Sequence, residues 1–255
     1  MTVSNRLRTA LSFSGPFVIF AALWQAASAW LAPDPTMFPG LGAIAYALVR
    51  LSAGPELWSN LGISLARNYL GLALAIVAGV SLGSCMARYP IANGFFSPLV
   101  GATYSLPKTA LIPLLLLWLG VGSTTDTTAV FLSCLLPIVV HSYHGAKDTP
   151  RVLLWSAAAL GTPDRALLPR VMLPSSLPQI VTGTRIALGF SYVVTIAAEM
   201  IASKSGIGKL IFVYGGSGAY DYLFATILVI IVVAYLVDQA YVRLTATLLR
   251  WHHWE

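Results

Sequence analysis

Three ionisable residues interrupt long apolar runs of this sequence: Lys108, Arg185 and Glu199. If such runs cross a bilayer, a charge inside them is costly and is a candidate for a transport path or a gate. Arg185 and Glu199 are fourteen residues apart, which on an α-helix is about 21 Å along the axis and about 40° around it. One side of that helix is therefore predicted to face polar surroundings. Two structural alternatives stay open: Arg185 extending to the inner membrane interface, and Glu199 capping the helix at the outer one.

Hydroxyl groups precede Glu199 on the same predicted helix. They belong to Ser191, Tyr192 and Thr195. If the protein carries an anion such as a sulfonate or carboxylate, these hydroxyl groups and Lys108 are predicted as transient contacts for it. Glu199 would repel an anion, so we expect it to act in gating or in a structural pair, for example with Lys204 or Lys108.

The sequence HSYH, at residues 141–144, has a spacing that metal sites use. A zinc site needs roughly four ligands, and the remaining histidines are His252 and His253 at the C-terminus. Cys85 and Cys134 lie within apolar runs and lack CxxC spacing, so packing is the favoured role for all these side chains. The sequence also contains no GxxxxGK[ST] phosphate loop. We therefore expect no metal, no cofactor and no ATP binding through such a loop.

Composition defines the class of protein. The chain has 255 residues, of which 57% are hydrophobic and 9% charged, against roughly 25% charged in soluble domains. Charge-free runs such as residues 68–87 are long enough, at about 1.5 Å per residue, for a helix to cross a hydrocarbon layer of about 30 Å. The 15 Lys and Arg residues are scattered between these runs, which argues against a nucleic-acid partner. The sequence therefore predicts an all-α, polytopic protein embedded in the lipid bilayer.

Six membrane spans are predicted. Their approximate bounds are 14–32, 62–86, 95–119, 127–145, 179–201 and 222–246. The third is either one tilted helix or two short ones, because prolines interrupt it and Lys108 lies in its middle. An uncleaved first helix is favoured over a signal peptide, because its apolar run exceeds the usual core length of such peptides.

Loop charges favour six spans with both termini in the cytoplasm. On that topology the inner side holds Arg6, Arg8, Arg88, Lys147, Arg151, Arg165, Arg170, Arg243 and Arg250, and the outer side holds Arg50, Lys204 and Lys209. This excess of inner cations follows the positive-inside rule. The whole chain, 1–255, is then a single transmembrane domain: residues 1–60 supply the first helix and an outer loop with a short interfacial helix, and residues 61–252 form the core.

The longest cytoplasmic loop covers residues 146–178 and carries helix-like sequence on both sides of Gly161, which would end the first helix. Thr162 is predicted to cap the second helix, with Pro163 at its first position and Asp164 in its first turn. Helix connections usually need only about 2–8 residues. A two-helix loop of this size therefore suggests docking on another protein.

The loop sequence WSAAALGTPDRALLPRVMLP, at residues 155–174, resembles the EAA loop of binding-protein-dependent ABC importer permeases. The matching positions are Ala157, Gly161, Leu173 and Pro174. Further segments are similar to permeases of the nitrate, sulfonate and taurine type: LPKTALIPLLLLWLGVG (106–122), LPSSLPQIVTGTRIALG (173–189), AAEMIASKSGIG (197–208) and LLRWH (248–252). The resemblance covers roughly residues 60–252.

This resemblance implies a type I importer permease of the inner membrane that works as a homodimer. It implies two ATPase subunits docked at the loop and a solute-binding protein that delivers the cargo. The implied ATPase-coupling residues are Trp155, Ser156, Ala157, Gly161, Asp164, Arg165, Leu173 and Pro174. The chain departs from the family at Trp155, where the family has Glu, and at Ser156, where it often has Ala. Because Trp cannot accept a charge-assisted hydrogen bond, docking is expected to depend more on apolar packing, Asp164 and Arg165.

The expected function is that of a permease subunit, not an enzyme, for a small organic or inorganic anion of the sulfonate, taurine, nitrate or aromatic carboxylate class. A permease for a vitamin or pyrimidine precursor is the alternative within the same family. A stand-alone secondary transporter would usually show two related halves with broken helices, and an intramembrane enzyme would need a nucleophile or ligand set at membrane depth. The sequence shows neither feature.

Overall fold

The computed structural model describes residues 3–30 and 37–250, and these residues contain helices and no β-strand. The helices are α1 (Val3–Trp30), α2 (Leu41–Ala53), α3 (Pro55–Arg88), α4 (Pro90–Tyr104), α5 (Ile112–Leu119), α6 (Ser123–Lys147), α7 (Arg151–Ala159), α8 (Asp164–Leu167), α9 (Leu173–Ala202), α10 (Ile207–Gly216) and α11 (Tyr220–Leu248). A 3₁₀ turn, Lys108–Leu111, precedes α5, and a π-helical turn, Leu168–Met172, joins α8 to α9. The predicted all-α class is confirmed. His252 and His253 lie outside the described residues.

Four helical segments are long and apolar enough to cross a membrane: α3, α6, α11 and the continuous stretch from α8 through α9. The predicted third span is broken. Its halves, Pro90–Tyr104 and Lys108–Leu119, qualify only as a pair and are bent by 94°. The predicted first span corresponds to a shorter apolar segment, Val18–Trp30. The six predicted spans therefore agree roughly with the structure.

The direction of the helices explains why the broken span is a single crossing. Along α3, Gly71 lies against Val130 and Gly79 lies against Ile138, so α3 and α6 run parallel. The segment between two parallel spans must return across the bundle, and α4 with α5 makes that return. In contrast, α9 runs antiparallel to both, because its end lies beside the start of α6, where the Gly122 amide donates to the Ala202 carbonyl at 3.1 Å.

Close helix packing depends on small residues. A Cβ atom at Gly71 would lie 2.7 Å from the Thr127 carbonyl oxygen, and one at Gly183 would lie 2.5 Å from the Cβ of His141. Glycine at such positions lets helix backbones approach closely in a membrane protein. His141 is thus a packing residue between α6 and α9, with its Nδ1 3.3 Å from Oε1 of Gln179. Among the described residues, no group of three or more His, Cys, Asp or Glu side chains is placed to hold a metal ion.

The loop between α6 and α9 contains the two predicted helices, with one correction. Thr162 does not cap α8; Pro163 occupies the N-cap position, and no side chain caps the helix there. The Thr162 amide instead donates to the Ala157 carbonyl at 3.0 Å, and the Gly161 amide donates to Ala158 at 2.9 Å. Both bonds close the end of α7 in a Schellman motif, which requires the positive φ of 82° that Gly161 adopts.

Candidate coupling loop and transport path

Exposed apolar side chains lie on α7 and at its end. Val152 and Trp155, three residues apart on α7, are 64% and 66% exposed, and Leu160, which directly follows the helix, is 87% exposed. We call these three residues the α7 face. The segment is outside the helices that could cross a membrane. Large apolar side chains grouped at such a place indicate an interaction site.

The loop is tied to the bundle by an ion pair between Arg88, the last residue of α3, and Asp164 at the start of α8. Asp164 remains 80% exposed while Arg88 is 25% exposed. The pair shows that the start of α8 lies beside the end of α3, although an ion pair this exposed contributes little to holding the loop there. The sequence analysis gave Asp164 a docking role and missed Arg88. The remaining loop residues lie on the surface or half-buried: Ser156, Ala157, Gly161, Arg165, Leu173 and Pro174.

Lys108 lies at the break of the bent span. Its Nζ donates to the Tyr104 carbonyl at 2.6 Å, which satisfies a carbonyl at the end of α4. The stretch 101–107 is exposed in the described chain. Irregular backbone at membrane depth is tolerated only where it lines a water-filled cavity or is buried in protein. A bend at membrane depth would therefore face something other than lipid.

Arg185 is paired, which the sequence analysis did not foresee. Its Nε and Nη2 donate to the two carboxylate oxygens of Asp238 on α11, each at 2.8 Å. The two side chains are 52% and 34% exposed and line a cleft of about 290 Å³ between α9 and α11, together with Tyr192 and Tyr235. Asp238 interrupts the apolar run of α11, and that charge was the signal that could have identified the pair.

A buried charge cluster joins α3, α6 and α9. Nη1 of Arg67 lies 3.1 Å from Oδ2 of Asp126 and 3.1 Å from Oε1 of Glu199, and the two carboxylates are 0% exposed. Nε of Arg67 also donates to Ser123 at 3.0 Å. The expected pairing of Glu199 with Lys204 or Lys108 is wrong: its partner is Arg67, and Lys204 is exposed. We call Arg67, Asp126 and Glu199 the charge cluster.

The Gly-rich turn after α9 folds over this cluster. Arg67 donates through Nη1 to the Ser205 carbonyl at 2.8 Å and through Nη2 to its hydroxyl at 3.0 Å. The amide of Gly206 donates to Asn60 at 2.6 Å, and that of Gly208 donates to Glu199 at 3.0 Å. Gly206 has a φ of +115°, and a Cβ atom there would collide with the Glu199 carboxylate, so a side chain would be excluded. The turn is therefore fixed by buried polar contacts.

The hydroxyl residues that were predicted along the path lie inside the bundle. Ser191, Tyr192 and Thr195 are all buried between helices in the single chain. The hydroxyl oxygens of Tyr192 and Tyr69 are 2.9 Å apart, which links α9 to α3. Their contact with a transported anion stays a prediction.

These features define an α-helical, multi-pass membrane protein with a two-helix loop at one end of its bundle and a broken span. Residues 71–250 match the family described as binding-protein-dependent transport system inner membrane components. The chain belongs to this family, whose members are transport components of the inner membrane.

Similar proteins agree with the resemblance noted in the sequence. The taurine transport system permease protein TauC of Escherichia coli is 30% identical over 244 residues, covering 93% of this chain and 88% of that protein. The putative aliphatic sulfonates transport permease protein SsuC of E. coli is 31% identical, covering 91% and 88%. The formylaminopyrimidine transport permease protein ThiX of Halalkalibacterium halodurans is 28% identical, covering 92% and 93%.

A solved structure shares the fold. A chain of the MetNI methionine ABC transporter in inward-facing conformations superposes with a TM-score of 0.62 and 18% identity. The match covers 79% of this chain and 96% of that one. At this identity the likeness establishes the fold of an ABC importer permease and nothing about substrate.

Proposed function

We propose that this protein is the permease subunit of an ATP-driven importer for a small anion of the sulfonate, taurine, nitrate or aromatic carboxylate class. The observation that carries the proposal is the α7 face, three exposed apolar residues on a loop whose second helix begins beside the end of α3. Family membership and the taurine and sulfonate permeases among the similar proteins support it.

The α7–α8 loop is the site at which a separate ABC ATPase docks. Trp155 supplies a large apolar surface in place of the carboxylate of the family pattern, so this contact depends on packing rather than on charge. Because the start of α8 lies beside the end of α3, force on α7 passes into a span. ATP-driven approach of two ATPase subunits would draw two such loops together and rock the spans between inward-open and outward-open states.

The broken span lines the transport path. Lys108 places a cation at the bend, where the exposed backbone and side chains of residues 101–107 need a polar surrounding at membrane depth. A water-filled path between two copies of the chain supplies that surrounding. A lysine there favours an anionic cargo over a cationic one.

The assembly consists of two permease copies, two ATPase subunits and an external solute-binding protein. The loop end of the bundle faces the cytoplasm, and both termini lie on that side, as the distribution of Lys and Arg indicates. Substrate selection then falls largely on the binding protein, and the permease supplies the route.

Docking is tested by charge reversal at the Arg88–Asp164 pair. The protein is co-expressed with an ABC ATPase subunit from the same genome and purified through a tag on the permease. Asp164→Arg should lose the ATPase, because two adjacent guanidinium groups displace α8. The matched double variant Arg88→Asp with Asp164→Arg should recover the ATPase if Asp164 acts through Arg88, and should remain without it if Asp164 itself contacts the ATPase. Equal recovery of the ATPase with all three forms would contradict docking through this loop.

Substrate class is tested by uptake into proteoliposomes that contain the permease, its ATPase and its binding protein. We expect ATP-dependent uptake of taurine or an alkanesulfonate, reduced by Lys108→Ala and less by Lys108→Arg. A vitamin or pyrimidine precursor is the second candidate, because the formylaminopyrimidine permease is among the similar proteins. Uptake of such a precursor, unaffected by a sulfonate, would identify that alternative.

A further inference from the structure

The cleft between α9 and α11 contains an ion pair that lies inside two membrane spans. At about 1.5 Å per residue, Arg185 lies about 18 Å along α9 from Leu173, and Asp238 lies about 15 Å along α11 from Leu248. Charged side chains within spans are costly in lipid, and they almost always face the bundle interior or a water-filled cavity. The pair is therefore a candidate contact for a molecule that passes through the bundle.

The pair keeps unused hydrogen-bonding capacity. Arg185 donates to Asp238 through Nε and Nη2, and among residues 3–30 and 37–250 its Nη1 has no hydrogen-bond partner. The two side chains are 52% and 34% exposed. In contrast, Arg67 of the charge cluster is 7% exposed, and its Nε, Nη1 and Nη2 all have partners. Because a guanidinium has five N–H donors, Arg185 can still bind a ligand, whereas Arg67 is closed to one.

The cleft has the size and lining of a site for a small molecule. Its volume is about 290 Å³, it is open to the surface, and Tyr192 and Tyr235 contribute aromatic rings to its lining. Ligand pockets usually measure about 300–1,000 Å³, so this cleft suits a ligand of few atoms. Gly189 also lines the cleft, and a Cβ atom there would meet no described atom within 4 Å. The lack of a side chain at Gly189 therefore helps to keep the cleft open.

We propose that this cleft binds a small zwitterion, an acid that also carries an ammonium group, as the cargo passes through the permease. The acid group binds the guanidinium of Arg185, and the ammonium group binds the carboxylate of Asp238. The ring of Tyr235, which is 56% exposed, can contact the ammonium group through its face. This inference rests on the proposed function as a permease, and it narrows the cargo to sulfonates or carboxylates that bear an amino group.

Charge balance favours a zwitterion over a simple anion. Arg185 and Asp238 together carry no net charge, so an anion that takes the guanidinium leaves Asp238 without a partner. A cation that takes the carboxylate leaves Arg185 unpaired in the same way. Unpaired charges inside a span are costly. A zwitterion brings one charge of each sign, so the pair can open while each side chain keeps an opposite charge, and the pair closes again when the cargo leaves.

Direct binding to the full-length chain in nanodiscs tests the proposal. The probe is radiolabelled taurine, a small amino sulfonate, and unlabelled compounds compete with it. β-Alanine, which is also a zwitterion, should compete with similar affinity. Two compounds should compete at least about tenfold more weakly: 2-hydroxyethanesulfonate, which lacks the ammonium group, and ethylamine, which lacks the acid. The absence of saturable taurine binding, or equal competition by 2-hydroxyethanesulfonate, would overturn the proposal.

Two variants separate the roles of charge and space. Asp238→Asn should weaken taurine binding at least about tenfold, and 2-hydroxyethanesulfonate should then compete as well as taurine does. Gly189→Val keeps the ion pair but fills the cleft, so it should weaken taurine binding by a similar factor. Unchanged taurine binding in either variant would contradict a site in this cleft.

The chain offers a matched control for each variant. Asp221→Asn removes a carboxylate at the start of α11, and Gly62→Val adds a side chain at an exposed position of α3 where a Cβ atom likewise meets no described atom within 4 Å. Both controls should bind taurine within about twofold of the wild type. A loss in the controls as large as in Asp238→Asn and Gly189→Val would place the effect outside the cleft and overturn the assignment.

This binding measurement uses neither the ATPase nor the binding protein, so the site and the proposed function can fail separately. If the ATPase docks and drives uptake but taurine does not bind the permease itself, the zwitterion site is wrong and the importer function stands. If taurine binds in the cleft and no ATPase docks, the site stands and the importer function is wrong.

Discussion

Removing the guanidinium of the charge cluster should destabilise this protein more than any single neutralisation of its carboxylates. Arg67 is 7% exposed and contacts two fully buried carboxylates, so Arg67→Met leaves both without their cation. Breaking a buried ion pair by removing one partner costs about 3–5 kcal/mol. For a domain of this size, 1 kcal/mol corresponds to about 2–4 °C, so the melting temperature should fall by about 6–20 °C.

The carboxylates allow a graded comparison. In Asp126→Asn the guanidinium keeps Glu199, and in Glu199→Gln it keeps Asp126, so each variant retains one buried pair. Glu199→Gln should be the more harmful of the two, because its carboxylate also accepts from Ser64 and from the Gly208 amide. In Glu199→Gln the amide NH₂ group would face one of these two donors, and it cannot accept a hydrogen bond from it.

The assay is thermal unfolding of the purified protein in nanodiscs, followed by tryptophan fluorescence. The triple variant Arg67→Met, Asp126→Asn and Glu199→Gln serves as the control, because replacing a whole buried ionic group is often nearly neutral. The triple variant should therefore have a higher melting temperature than Arg67→Met alone. A melting temperature for Arg67→Met within about 2 °C of the wild type would refute the reasoning, as would a triple variant no more stable than the single one.

Three further predictions concern other parts of the bundle. Gly183→Val should lower the melting temperature by about 2–12 °C through overpacking, whereas Gly189→Val, where a Cβ would meet no described atom within 4 Å, should change it little. Arg185→Asp should lower the melting temperature by up to about 4 °C. The double variant Arg185→Asp with Asp238→Arg should restore the melting temperature, which would identify the pair as structural. Trp155→Ala should weaken ATPase binding about tenfold to a hundredfold in a titration with the isolated ATPase, and Trp155→Glu should not restore it if the partner surface is apolar.

Local features of the sequence predicted the loop well. Gly161 does end α7, and Asp164 does begin α8, because helix ends depend on residues within a few positions of each other. The prediction failed at Thr162, whose side chain does not cap α8 and whose amide completes the end of α7 instead, and by one position at Pro163, which is the N-cap residue rather than the first helical one. The hydrogen bond from the Thr162 amide to Ala157 completes the Schellman motif, and Pro163 then occupies the N-cap of α8 without a capping side chain.

The charge cluster could not be predicted in the same way. Arg67 directly precedes the charge-free run 68–87, a position typical of a charge at the end of a span, so the sequence does not single it out. Its partner Glu199 is 132 residues away, and Asp126 is on a third helix. Only the packing of α3 against both α6 and α9 brings the three together. The bend of the third span was similarly hard to locate, because several prolines offered equally plausible break points.

The distribution of fixed and exposed polar groups indicates where the bundle can change shape. One end of the bundle carries the Gly-rich turn that follows α9, and we call it the turn end. Buried contacts join this turn to α3, α6 and α9, and breaking them in each transport cycle would be costly. Glu199 is therefore better placed to hold this end rigid than to open as a gate. At the bend, residues 101–107 are exposed and Lys108 donates to the carbonyl of Tyr104, four residues before it, while the Arg185–Asp238 pair is half-exposed between α9 and α11. Because breaking exposed contacts costs little, we expect rearrangement during transport at the broken span and the α9–α11 cleft, while the turn end moves as one unit.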